Sequence, residues 1–237
     1  MIPQDQAEIV DEFAPFGVRA YTTMRQVGSF STGSDEPVRE VMARWDAVRK
    51  DAASRQVLRL ATAAQVHGSH VVAHAPGWSG WLRGFETDGH IAADRGTAMA
   101  VTIADCVPVF IAHPSGASAI LHSGWRGTAA RIVEKGIAAL THRGFHADEL
   151  RVHLGPAICG ACYEVSPDVV RQLTGESPSA PRTVDLRALI ADHARAAGVR
   201  QITISASCTR HHNERFFSHR AGDQGRQIGV IFAEANK

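Results

Sequence analysis

Residues 97–123, TAMAVTIADCVPVFIAHPSGASAILHS, decide the fold. They divide into three short apolar runs, TAMAVTI (97–103), VPVFIA (107–112) and ASAILHS (117–123), each of strand length and bounded by turn residues. The HPSG between the second and third reads as a hairpin turn, because Pro and Gly supply the dihedrals a tight reversal needs. The ADC at 104–106 breaks the first run from the second and places Cys106 where a side chain emerges at a sheet end. If 107–112 and 117–122 pair as a hairpin, its far end brings His122 level with the start of the first strand, beside Cys106.

Outward from this block, GWRG (124–127) turns the chain into a helix with Ile132, Val133, Ile137 and Leu140 on one face. Upstream, 17–24 and 56–66 read as strands, and Val38, Val41, Met42, Trp45 and Val48 recur at helical spacing between them. Downstream come a strand at 150–154 and a helix opened by Ser166 as cap and Pro167 at its first position. A loop at 174–182 precedes a helix capped by Asp185 and ended by Gly198, and strands at 200–206 and 226–232 close the chain. Strands in runs, with helices between some of them, predict a mixed α+β architecture. All 237 residues are expected in one domain, with residues 1 to about 15 peripheral.

The charges balance at +1, which gives no electrostatic basis for a nucleic-acid or membrane partner. No apolar stretch approaches the roughly 18–20 residues of a membrane span. The opening MIPQDQAEIVDEF is acidic and polar, unlike a secretory signal. Four cysteines (Cys106, Cys159, Cys162, Cys208) are too few and too scattered for a disulfide scaffold. A reducing, cytoplasmic compartment is the expectation. Thirteen histidines direct attention to metal binding and proton transfer, the two tasks imidazole serves near neutral pH.

Taken alone, Cys106 is what free cysteines usually are, a small buried hydrophobe. Asp105 beside it alters that reading, since an acid at a strand end among apolar residues needs a reason to be there. Cys106 and His122 together suit either metal ligation or nucleophilic catalysis. His67, in AAQVHGSH, is on its own more often a hydrogen-bonded structural histidine. As a third member it completes two imidazoles and a thiolate with an open fourth position, the arrangement of catalytic zinc. Arg126, at a helix start, has the wrong sign for the helix dipole unless it faces an anion; otherwise it is a solvated arginine. Cys159 and Cys162 form a C-x-x-C, but a structural zinc needs a second ligand pair that Cys208 alone does not supply, so packing is the simpler reading. Tyr163 and Glu164 beside them are a polar pair able to line a pocket. On a strand, the adjacent His211 and His212 would point to opposite faces and not share a metal. Phe216 and Phe217 read as packing residues.

Read together, QVHGSHV, TDGHI, ADCVPVF, LHSGWRGTAARI, GPAICGACYEV, DLRALI and CT…FFSHR…GRQ resemble the YfiH-like family, also known as laccase-domain or polyphenol oxidase proteins, over residues 17 to 233. The resemblance implies a layered α/β/β/α sandwich of mixed sheets. It implies zinc ligands at His67, Cys106 and His122, with copper as an alternative metal; these three and Asp105 are the candidate catalytic residues. Substrate or phosphate contacts are expected at Arg25, Asp88, Arg126, Tyr163 and Glu164. The activities it implies are phosphorolysis of adenosine, inosine or methylthioadenosine and deamination of adenosine, so the partners are small molecules, a purine nucleoside and phosphate. A Cys–His amidase that edits cell-wall precursors is the alternative, with Cys106 as nucleophile and His122 as base. Copper-dependent phenol oxidation ranks below both, because coupled copper centres use many imidazoles, commonly as His-x-His, and the sequence has no such pair. The family's usual pattern changes at Val27, which stands for a glycine, at FSTGSDEP, which lacks an Asn-Leu-Gly, and at Ala221, which stands for an arginine.

Overall fold

The computed structural model describes residues 4–235. In chain order its strands are β1 Ala7–Ile9, β2 Val18–Thr23, β3 Arg59–Ala63, β4 Val71–His74, β5 Gly80–Gly84, β6 Gly89–Ala92, β7 Thr97–Ile103, β8 Val107–Ala112, β9 Ser118–Ser123, β10 Arg151–Leu154, β11 Glu164–Val165, β12 Arg182–Thr183, β13 Gln201–Ile204 and β14 Gln227–Ala233. Its helices are α1 Val38–Ala53, α2 Trp125–Ala129, α3 Ile132–Thr141, α4 Pro167–Thr174 and α5 Leu186–Ala196. Two six-stranded mixed sheets, ordered β1-β2-β14-β7-β3-β5 and β13-β10-β8-β9-β6-β4, carry the architecture.

Alternation along the strands sorts the apolar side chains into layers, because successive side chains of a strand leave opposite faces of its sheet. On β7 and β14, Ala98, Ala100, Ile228, Val230 and Phe232 pack with Val41, Trp45 and Val48 of α1. Their alternates Met99, Val101, Ile103 and Ile231 turn inward and meet Phe110, Ala112 and Ile120 of the other sheet. On the far side, Val107, Val109, Ile111 and Leu121 pack under α3, α4 and α5. Helix, sheet, sheet and helices therefore stack as the expected α/β/β/α sandwich.

The decisive hairpin forms as read: β8 and β9 are antiparallel, with Val107 opposite Ser123 and Pro108 opposite His122. Gly116 closes its turn at φ +99°, a conformation glycine adopts without strain. The strand before it behaves differently. β7 belongs to the first sheet and β8 to the second, so Ala104–Cys106 is the crossing between layers. Both strands are buried on both faces, and their continuous apolar runs say nothing about which sheet each enters.

Some local expectations change. Residues 7–16, expected at the periphery, supply the edge strand β1 and the fully buried Phe13, whose side chain joins the core between the sheets. Ser166 sits at the cap of α4 without a side-chain hydrogen bond, and Pro167 starts the helix. Asp185 caps α5 fully, accepting the N–H groups of Arg187 and Ala188. GWRG itself opens a short helix, α2, which starts at Trp125 and is separated from α3 by Arg131 at φ +60°. Among the described residues no helix is long and apolar enough to cross a membrane.

Candidate metal centre and substrate cavity

Three segments meet where the chain crosses between sheets. Cys106 is the residue before β8, His122 lies on β9, and His67 stands in the loop after β3. One ligand atom from each lies within 4.8 Å of the others. The two imidazoles meet edge to face, with ring centroids 4.8 Å apart. Gly124 lets the next turn approach: a Cβ there would stand 2.8 Å from the Cys106 sulfur, closer than real Cβ atoms tolerate.

Asp88 organises the set from below. Its Oδ1 accepts the Nδ1–H of His122 at 2.9 Å, so in the neutral ring it is Nε2 that carries the lone pair. The same carboxylate accepts the backbone N–H groups of His67 at 2.9 Å and Gly68 at 2.7 Å. These bonds hold His67 at φ +58°, a backbone state rare for a side-chain-bearing residue. Burial works against the Asp88 carboxylate, yet His122 and the backbone donors outweigh it and keep its pKa below the usual value.

Cys106 and His122 polarise each other. Burial alone would raise the thiol, but His122 and then His67 pull it down to about 6. Burial would likewise lower His122, but the Cys106 sulfur and the Asp88 carboxylate lift it to about 9. A thiolate between two imidazoles, one oriented by a carboxylate, is a donor set suited to zinc or copper.

The three residues open into a cavity of about 630 Å³. One wall is aromatic, from Phe30, Trp45 and Trp81, with the two indoles 5.4 Å apart. Elsewhere the lining is cationic: Arg83, Arg126, Arg220 and Arg226 face Asp105 as the one acid. Arg126 lies over the ring of Trp125 at 4.3 Å, and among the described residues neither it nor Arg83 has a carboxylate in salt-bridge range. Tyr163 also lines the cavity; burial, then the charge of Cys106, raises its hydroxyl pKa to about 12, so it stays a donor at neutral pH.

Asp105 borders the cavity, but its two oxygens accept Thr209 Oγ1–H at 2.6 Å and the backbone N–H of Arg220 at 2.7 Å. It positions the loop that carries Arg220. Three residues expected at the substrate fall elsewhere. Asp88 is fully buried beneath the histidines. Arg25 pairs with Asp223, donates to the Asn213 carbonyl at 2.8 Å and lies over Phe217, outside the cavity lining. Glu164 is exposed outside the lining, and its carbonyl accepts Arg220 at 3.0 Å. Arg83, Arg220, Arg226 and the aromatic wall were missed. The only sequence signals were FFSHR and GRQ, which carry Arg220 and Arg226.

The C-x-x-C expected to serve packing belongs to a second donor group. Cys159, Cys162, Cys208 and His211 also place one ligand atom each within 4.8 Å of the others.

The family model described as multi-copper polyphenol oxidoreductase laccase matches residues 24–234. A purine nucleoside phosphorylase of Streptomyces griseus is 30% identical over 178 residues, covering 72% of each chain. A purine nucleoside phosphorylase of Deinococcus radiodurans is 33% identical over 178 residues, 70% of this chain and 67% of that one. The crystal structure of the hypothetical protein YfiH from Bacillus licheniformis superposes with a TM-score of 0.86 at 22% identity, over 98% of both chains.

Proposed function

The chain belongs to the family described as multi-copper polyphenol oxidoreductase laccase, and on that footing we propose that it is a zinc-dependent purine nucleoside phosphorylase that also deaminates adenosine. Its relatives named purine nucleoside phosphorylase support a nucleoside-processing enzyme. The observation that carries the reading is a single cavity in which a His–Cys–His donor set, arginines without a carboxylate partner among the described residues, and an aromatic wall converge.

When bound at His67, Cys106 and His122, zinc supplies Lewis acidity and an acidified water. The residues around it supply the rest. Phosphorolysis forms a bond from a phosphate oxygen to the sugar C1′ and breaks the C1′–N9 bond, so it needs a held dianion. Arg126 and Arg220 offer charge-assisted hydrogen bonds to it. Phe30, Trp45 and Trp81 form an apolar surface for the flat purine. Tyr163 donates from its un-ionised hydroxyl. The cavity's volume falls in the range of small-molecule sites.

The two donor groups among the described residues contain three imidazoles in all, His67, His122 and His211. That is few for coupled copper centres, and it supports the nucleoside reading over phenol oxidation. The four cysteines are free, in keeping with the cytoplasm.

The test is product analysis. Zinc-loaded protein and adenosine should give adenine and ribose 1-phosphate only with phosphate present, and inosine with or without it. No purine product under either condition would overturn the proposal. One observation favours a second reading: Cys106, His122 and Asp88 stand in the order nucleophile, base and orienting acid. An amidase built on them would work in zinc-free protein and pass through an acyl–Cys106 adduct.

A further inference from the structure

We propose that Cys159, Cys162, Cys208 and His211 form a second metal site, a closed structural one that takes a single zinc ion. None of the four lines the cavity, and the proposal stands apart from the activity proposed above.

The site is built by two segments far apart in sequence. A parallel bridge aligns Ala157 with Cys208, and Thr209 N–H donates to the Ala157 carbonyl at 3.1 Å. Cys159–Cys162 then turns back on itself, with Cys162 N–H donating to the Cys159 carbonyl at 3.0 Å. This is the compact turn by which a C-x-x-C aims two sulfurs at one point. The second segment brings Cys208 and His211 with the same two-residue gap. The Cys159 backbone N–H donates to the Cys208 sulfur at 3.3 Å, a bond that favours its thiolate.

The distances suit zinc. Bonds near about 2.3 Å to sulfur and about 2.0 Å to nitrogen in a tetrahedron put the donors roughly 3.5–3.8 Å apart. His211 Nε2 lies 3.1 Å from the Cys162 sulfur and its Nδ1 lies 3.8 Å from the Cys159 sulfur, so the ring must turn slightly to present one nitrogen to the ion. All four donors fall within 4.8 Å, so the widest separation must close by about 1 Å, roughly half an ångström at each donor, to complete the set.

Apolar packing accounts for only part of the group. Cys162 and Cys208 are buried with Ile158, but Cys159 is half-exposed and His211 is exposed. Packing gives no reason for an exposed imidazole to lie across a sulfur cluster, whereas a ligand role does. The two surface members also give an ion a way in.

The consequence reaches the cavity. Cys162 precedes Tyr163, and Thr209, next to Cys208, holds Asp105 at 2.6 Å. A zinc clip across these segments fixes the wall that carries Tyr163 and Arg220.

The experiment counts zinc by native mass spectrometry in a Cys106→Ser background, which removes a ligand of the other donor set. Cys106→Ser protein should keep one zinc per chain, and Cys106→Ser/Cys208→Ser should lose it. Reconstituted with Co²⁺, Cys106→Ser protein should show thiolate-to-cobalt charge-transfer bands and intense tetrahedral d–d bands, which His211→Ala weakens. If the Cys208 variant fails to fold, wild-type protein still decides: Cys159 should resist iodoacetamide until a chelator is added. Cys106→Ser protein that takes up no zinc, equal alkylation of Cys159 before and after chelation, or a disulfide among these cysteines in wild-type protein would each overturn the site. Loss of nucleoside activity with the zinc at this site intact would bear on the activity alone.

Discussion

Asp88 Oδ1 accepts the Nδ1–H of His122 at 2.9 Å, and the same carboxylate carries the backbone of His67. One buried acid thus fixes the tautomer of one histidine and the placement of the other. Neither effect requires Asp88 to touch a substrate. Asp88→Asn should lower zinc affinity at the His67–Cys106–His122 set about 10–100-fold, the usual effect of losing a ligand's supporting carboxylate. Competition with a chromophoric chelator measures it. The substrate KM should change less than zinc occupancy, and activity should return with excess zinc. Unchanged zinc affinity would mean the carboxylate serves only the loop.

Cys106 is expected to act as a ligand. Two imidazoles flank it, where a nucleophile needs only one base. Coordination keeps the sulfur deprotonated yet ties up its reactive lone pair. Native protein should therefore resist iodoacetamide at Cys106, and chelation should expose it. Cys106→Ser should lower zinc occupancy and purine turnover together. An acyl adduct trapped on Cys106 during turnover would promote the amidase.

Gly124→Ala tests the crowding at the sulfur. The new Cβ would stand 2.8 Å from Cys106 Sγ, and the contact must be relieved by moving the ligand or the turn. Zinc affinity should fall, with a loss of stability of about 1–3 kcal/mol from overpacking. A variant with native zinc affinity would show that the turn yields freely.

The convergence of Cys106 and His122 was legible because it follows from a local fact, a hairpin whose turn residues and apolar runs are contiguous. The crossing of the chain from one sheet to the other between Ile103 and Val107 was not. Strands buried on both faces carry the same apolar signal in either sheet, and β14 pairs with β7 from more than a hundred residues away. Strands β4, β5 and β6 escaped because VVAH, GWLRG and GHIA are short and lack clean alternation. Asp88 was picked out through its motif, but its burial depends on strands that propensity does not place. The Cys159–Cys162 and Cys208–His211 pairs meet only through the Ala157–Cys208 bridge, so the second pair's matching gap was visible in the sequence while its proximity was not.

Arg126→Ala tests the anion. The residue lines the cavity beside Trp125 with no carboxylate partner among the described residues. If it holds phosphate, KM for phosphate should rise by about tenfold or more, as losing a charge-assisted hydrogen bond of about 1.5–3 kcal/mol implies. Zinc content and phosphate-independent deamination should hold. Unchanged phosphate dependence would leave Arg126 as a stacked cation, with Arg220 the next to test.

The last prediction concerns acid stability and rests on His90, which lies buried on β6 with its Nδ1 2.9 Å from His74 Nε2. Burial, and then the charge of His74, push its pKa down to about 3, against the opposing pull of Asp88. The folded value lies below the unfolded one, near 6.5, so the unfolded chain takes up the proton first. The contribution is therefore whole above pH 6.5 and is lost as pH falls toward 3. At pH 5 the loss amounts to about 2 kcal/mol, or ~4–8 °C in Tm for a chain of this size. His74, His153 and His193, also lowered chiefly by burial, act in the same direction. The depressed carboxylates of Asp88 and Glu12 lose their contribution only at lower pH, below the unfolded carboxylate range. Thermal melts from pH 7 to 5, run with and without added zinc to separate metal release, should show this slope. His90→Gln should flatten it whatever its effect on Tm at neutral pH. An equal slope in the variant would mean that His90 is protonated at no cost in the folded protein.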